Sequence, residues 1–119
     1  MDSILNSVKE YCGIEVENTA FDSDLIMTTN AVLFVLNQFG IGPDTPYSIT
    51  SSEETWGDLL GSDPIGGVSE YVKMRVRLLF DPPTNPQVLE ALKGQIEEFQ
   101  WRILLDADSK SLLEEVTDE

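Results

Sequence analysis

The side chains able to carry chemistry in this chain are carboxylates, hydroxyls and one thiol; histidine is absent. Without imidazole, the commonest general base near neutral pH and the commonest metal ligand are both missing. Paired carboxylates remain, at Asp22-Ser23-Asp24 and Glu53-Glu54. Such pairs can share a proton or hold a divalent cation. Both fall where a helix is expected to begin, where a carboxylate accepts orphan backbone N–H groups and meets the positive end of the helix dipole. Capping is therefore the expected role of each pair. Asp22-Ser23-Asp24 also looks like the start of a calcium loop, but Met27 and Leu33 stand where that loop needs its turn glycine and closing glutamate. Cys12 has no second cysteine and no base beside it, and on an apolar helix face it reads as a buried, inert thiol. Gly40-Ile41-Gly42 and Gly66-Gly67 are not followed by Lys-Ser/Thr, so they are turn glycines rather than phosphate cradles. No nucleophile–base pair or metal cluster is found; neither an enzyme nor a cofactor is expected.

The cations are more informative. Lys73, Arg75 and Arg77 are three of the chain's 7 bases. On a helix, Lys73 and Arg77 share a face one turn apart, while Arg75 points elsewhere. They can pair with acids of the same molecule, or they can grip a neighbouring subunit, arginine being suited to bidentate hold on a carboxylate. Both readings stand on the sequence alone.

Charge narrows the partners. The chain has 119 residues, with 22 acids against 7 bases, a net −15. Binding a phosphate backbone needs cations that displace counterions, so this is a poor nucleic-acid ligand. The length suits one domain with a modest core. No stretch approaches the roughly 20 apolar residues of a membrane helix, and no basic-then-apolar leader opens the chain. A soluble intracellular interaction module is expected.

The elements that must position these residues are helices. Ile4, Leu5, Val8, Tyr11 and Cys12 recur at helical steps from a cap at Asp2 or Ser3 to a stop at Gly13. A connector covers Ile14 to Ala20. A second helix, capped by Asp22 or Ser23, runs to about Phe39 with Leu25, Ile26, Thr29, Val32, Leu33, Leu36 and Phe39 inward. Its stretch Ala31 to Leu36 is apolar all round, which predicts burial on most sides. Gly42-Pro43 and Thr45-Pro46 forbid helix and suit a loop or a small hairpin, in which Tyr47 and Ile49 are candidate exposed contacts. Ser51 and Glu54 fit a capping box for a short helix bearing Trp56, Leu59 and Leu60. Val68 to Phe80 forms the next helix, with Val68, Tyr71, Val72, Arg75, Val76 and Leu79 in its stripe, stopped by Asp81-Pro82-Pro83. Asn85-Pro86 caps the last helix, which carries Val88, Leu89, Leu92, Ile96, Phe99 and Ile103 inward and a Glu98–Arg102 pair outside. Trp56 and Trp101 are expected in the core or half-buried. The expected fold is all-α: a small bundle of three main helices plus one or two short helices, with room for a small hairpin loop.

At Asp106 the composition shifts. Residues 106–119 carry six acids and one lysine, which divides the chain into a helical domain at 1–105 and an acidic C-terminal extension at 106–119. Leu112, Leu113 and Val116 sit at helical spacing in that extension. They give it a face that can dock rather than remain solvated.

Several segments taken in order carry a family resemblance: Ile4-Leu5-Asn6-Ser7-Val8-Lys9, Phe21-Asp22-Ser23-Asp24-Leu25-Ile26, Gln38-Phe39-Gly40-Ile41-Gly42-Pro43, Thr55-Trp56-Gly57-Asp58-Leu59-Leu60-Gly61, and above all Tyr71-Val72-Lys73-Met74-Arg75-Val76-Arg77-Leu78-Leu79-Phe80-Asp81-Pro82-Pro83. This order resembles head–tail connector (adaptor) proteins of tailed bacteriophages, over Ile4 to about Ile103. The resemblance implies a structural subunit of a homo-oligomeric ring of about twelve copies. The ring would sit on the portal protein at the head–tail interface of the virion, with a stopper or tail-completion protein on its other side. DNA would pass through the lumen without specific binding, and no membrane would be involved. By the same analogy, the extension bearing Leu112, Leu113 and Val116 would grip the portal, and the loop Ile41 to Ser52, with Tyr47 and Ile49, would reach the next ring. An acidic mimic of DNA that inhibits a DNA-handling enzyme is the alternative. It would need acids aligned along one elongated surface, whereas here many lie at helix starts and in the extension.

Overall fold

A computed structural model of the chain describes residues 3–41, 47–61 and 67–117, with side chains described as far as 106. The elements are α1 (Ile4–Tyr11), α2 (Asp22–Gln38), α3 (Trp56–Leu60), α4 (Val68–Phe80) and α5 (Pro86–Thr117). α4 is the central helix: it packs against α1, α2 and α5, and α1 lies on α2 as well. Among the described residues there is no strand, and 42–46, where a hairpin turn was expected, lie outside them. An isolated bridge between Ser3 and Thr55 ties the start of α1 to the start of α3. The all-α bundle is as the sequence predicts.

α1 begins where Ser3 accepts from the Asn6 N–H, and Gly13, with φ of 76°, turns the chain away after it. Ile4, Leu5 and Val8 are fully buried. In α2 the expected stripe is inward, with Leu25, Thr29, Val32, Leu33 and Leu36 buried and Ile26 and Phe39 half-buried. Two expectations for α2 fail. Its N-cap is Phe21, with no side-chain cap bond, because the Asp22 carboxylate is turned to Lys9. The apolar run is not enclosed either: Ala31 and Phe34 are exposed, since α1 and α4 cover only the stripe face.

The capping box of α3 is Thr55–Asp58 rather than Ser51–Glu54. Thr55 Oγ1 accepts from the Asp58 N–H at 3.2 Å, and Asp58 Oδ2 accepts from the Thr55 N–H at 3.0 Å. The sequence offers two such runs in succession, and only the second directly abuts Trp56. Ser51 and Glu54 do bond, but they close a loop ahead of the helix.

α4 has the predicted bounds, with Val68, Tyr71, Val72 and Val76 buried. Met74 joins them, and Leu79 does not: it faces solvent while Leu78 and Phe80 of the same turn pack against the core. Asn85 Oδ1 caps α5, accepting from Gln87 N at 2.8 Å and Val88 N at 3.3 Å. Leu92, Ile96 and Ile103 are buried, while Val88, in the first turn, is exposed. The helix does not end at Leu105 but continues to Thr117, so the composition change at Asp106 falls within one helix. Leu112, Leu113 and Val116 lie outside the described side chains. At 1.5 Å per residue, α5 is about 48 Å long and accounts for most of the longest molecular dimension, 52 Å.

Candidate assembly surface

The three clustered cations occupy one stretch of α4. All are half-buried, and none makes an ion pair among the described residues, where the pairs are Lys9–Asp22, Lys93–Glu90 and Arg102–Glu98. Aromatic rings take the place of acids. The Arg77 guanidinium lies 5.8 Å from the centroid of the Tyr11 ring on α1. Arg75 lies 5.8 Å from that of Tyr71, whose hydroxyl donates to Gln100 Oε1 on α5 at 2.8 Å. Arg75 is thus turned toward α5 while Arg77 is turned toward α1. A guanidinium is attracted to the ring face and can still offer N–H donors to an incoming carboxylate, although Arg75 also turns one toward the Tyr71 hydroxyl.

These cations act on neighbouring groups. Burial pushes the half-buried Cys12 thiol above its ordinary value, Arg77 opposes that, and Asp81 adds to it. Burial likewise raises the Tyr71 hydroxyl, against the charge and hydrogen bonding of Arg75. A raised thiol stays protonated near neutral pH and is a poor nucleophile.

Ile49 is not an exposed contact. Its side chain is 1% exposed, and its backbone is held on both sides by one amide: Ile49 N donates to Asn30 Oδ1 at 2.7 Å, and Asn30 Nδ2 donates to Ile49 O at 3.0 Å. Asn30 pairs with the segment as an adjacent strand would, and this seats Ile49 in the core. Tyr47 is half-buried; burial, then the nearby Asp58 and Glu54, raise its hydroxyl. The Glu54 carboxyl is lowered, first by the Thr50 hydroxyl and also by the Thr50 and Ser51 N–H groups, with burial opposing.

The sequence reading missed Lys9. Its side chain is 1% exposed, and Nζ donates to Asp22 Oδ1 and to Val16 O, each at 2.8 Å. The available clue was a base four residues after Leu5, on the buried face of a short helix that leads into an acidic connector. Asp22 is therefore an ion-pair partner and Glu54 a loop staple. Among the described residues no group of acids and thiols is arranged to hold a metal, and no helix is long and apolar enough to cross a membrane.

A cleft of about 380 Å³ lies where Gly67, at the start of α4, faces α5; Phe99, Trp101, Arg102, Leu105 and Asp106 complete its lining. Trp101 is 63% exposed, contrary to expectation, because a residue two positions from buried Ile103 points about 200° away from it around the helix. Trp56 is half-buried as expected, its indole N–H donating to Ser7 Oγ at 3.1 Å.

No curated protein and no solved structure gives a significant match to the chain. The family described as phage connector protein matches residues 4–110, a span that runs from the first residue of α1 well into α5 and takes in the α4 cations. With this all-helical fold and a match over most of its length, the chain belongs to the phage connector protein family.

Proposed function

We propose that the protein is a structural subunit of a ring joining phage head to tail, seated between the portal protein and a stopper or tail-completion protein. The family match carries this reading. The α4 cations support it: in a chain with 22 acids, Lys73, Arg75 and Arg77 are left without an acid partner among the described residues. Half-buried guanidiniums held near aromatic rings are suited to take a carboxylate from a neighbouring copy. A ring of about twelve copies, closed by repeating one heterologous contact, would present a strongly negative lumen. Such a field repels phosphates and lets DNA slide through unbound. The helix beyond Asp106 would supply the portal-gripping arm, with its acids and Leu112, Leu113 and Val116 as the contact residues; the loop bearing Tyr47 would face the next ring.

Net charge also sets when the ring forms. Copies carrying −15 each repel one another in dilute solution. The ring would therefore assemble on the portal, where many simultaneous weak contacts offset the repulsion. The test is reconstitution: purified protein added to separated heads and tails from a phage lacking this gene should restore joined particles. Heads and tails that stay apart after addition would count against the proposal.

A further inference from the structure

Lys73, Arg75 and Arg77 cannot all meet one neighbour. Positions two apart on a helix stand about 200° from each other around its axis, so Arg75 faces away from both others, while Lys73 and Arg77 share a face one turn apart. The two faces have different surroundings. On one, Arg75 lies 5.8 Å from the centroid of the buried Tyr71 ring and hydrogen-bonds to its hydroxyl, which itself donates to Gln100 Oε1. That chain of contacts runs inside the molecule, from α4 to α5. On the other face Arg77 lies beside the Tyr11 ring of α1, and neither Arg77 nor Lys73 has an acid partner among the described residues. Glu70 and Asp81 flank this pair by one turn at either end. Glu70 accepts from the Ser69 hydroxyl instead, and neither acid makes an ion pair among the described residues. The positive charge therefore sits at the centre of the row.

We propose that Lys73 and Arg77 take carboxylates of a second copy of this chain, with Tyr11 as the positioning residue for Arg77, and that Arg75 is an internal tie rather than part of the contact. Half-buried cations have given up part of their water without gaining a counter-charge, a cost that an incoming carboxylate offsets. A second copy is suited to bring one, since it carries 22 acids against 7 bases. Arg77 offers a planar fork for a bidentate hold, and Lys73 adds a point charge about 5–6 Å away along the same face. Arg75 is less able to serve, because its ring and its hydroxyl partner both belong to Tyr71. A contact that closes a ring is repeated on every copy, so each Lys73–Arg77 face would be filled once. This rests on the ring reading above and narrows its cations from three to two.

The test is carbodiimide cross-linking of particles joined by adding the full-length protein to separated heads and tails. The reagent condenses an amine with a carboxylate in direct contact. Mass spectrometry of the resulting dimer band should find Lys73 linked to an acidic peptide of this same chain. Lys73 linked to a portal or stopper peptide, or left unmodified in joined particles, would overturn the contact between copies. Arg77→Gln should remain folded by circular dichroism and lower the yield of joined particles at least about tenfold; a wild-type yield would overturn its part. Tyr11→Leu should lower the yield and Tyr11→Phe, which restores the ring, should recover it; equal yields from the two would remove the positioning role. Arg75→Gln should act through the fold, lowering Tm more than Arg77→Gln does. An Arg75→Gln protein with the wild-type Tm that fails to join particles would overturn the division between the faces. If the wild type joins nothing, the ring reading fails and this inference with it; if the wild type joins particles, a contrary result above defeats the inference alone.

Discussion

Lys9 shows how a single residue can hold two elements in place. Its ammonium group is taken almost wholly out of water, a cost offset only by good geometry and full hydrogen bonding. Asp22 at the start of α2 and the Val16 carbonyl in the connector supply both, so the pair pins α1, connector and α2 together. Lys9→Met, which keeps the stem and removes the charge, should cost about 2 kcal/mol, discounted from a fully buried pair because Asp22 remains partly solvated. Urea unfolding measures this, and a loss below about 0.5 kcal/mol would mean that the pair holds nothing. Thr29 is the reverse case. It is fully buried, and its hydroxyl has no hydrogen-bond partner among the described residues. Thr29→Val should stabilise by about 1 kcal/mol and raise Tm by about 4 °C; an unchanged or lower Tm would show that the hydroxyl is satisfied. Neither role was legible in the sequence. Periodicity placed Thr29 inward, but it cannot say which hydroxyl goes unpaired or which carboxylate a distant lysine will claim.

At the scale of elements the sequence was a better guide. Gly13, Gly40 and Asp81-Pro82-Pro83 punctuate the chain so firmly that α4 has the predicted bounds and α2 nearly so. Caps were harder, because Ser51, Thr55 and Asp22 all carry suitable chemistry and only tertiary contacts decide which is used. The Asn30–Ile49 clamp lies beyond any local rule, since it joins a polar residue in α2 to a loop 19 residues away. Asn30→Ala should cost about 2 kcal/mol by leaving an N–H and a C=O of the buried Ile49 segment unpaired. Amide exchange should show the Ile49 N–H losing protection, and retained protection would contradict the clamp. Burial of three weak acids also makes stability depend on pH in alkali. Burial raises Cys12, Tyr47 and Tyr71 above ordinary values of 9.0, 10.0 and 10.0. The unfolded chain therefore loses these protons first. Their contribution is fully present below about pH 9 and is lost as pH rises through the folded values. Urea midpoints should be flat from pH 7 to 9 and fall above that; a midpoint that rises above pH 9 would reverse the sign.

For the whole molecule, the all-α architecture and the connector family were legible because they reside in the order of many segments rather than in one motif. The outer faces were not. Apolar content predicted that α2 would be enclosed and Trp101 covered, yet α4 can cover only one face of each helix it touches, leaving Met27, Phe34 and Trp101 to solvent. A chain that folds alone has little reason to keep such residues outside; a subunit of an assembly does. The cations of α4 belong to the same scale. Arg77→Glu loses a cation–π contact worth about 1 kcal/mol but places an acid where the proposed contact needs a donor. It should leave the monomer folded by circular dichroism while sharply lowering the yield of joined particles; normal yield would remove Arg77 from the contact.

The central claim, that this chain joins head to tail, is tested most directly by electron microscopy of a lysate from the source phage with the gene deleted. The account predicts empty or DNA-leaking heads beside unattached tails, with both reappearing as joined particles when the gene is supplied in trans. Intact infectious particles without the gene would contradict it.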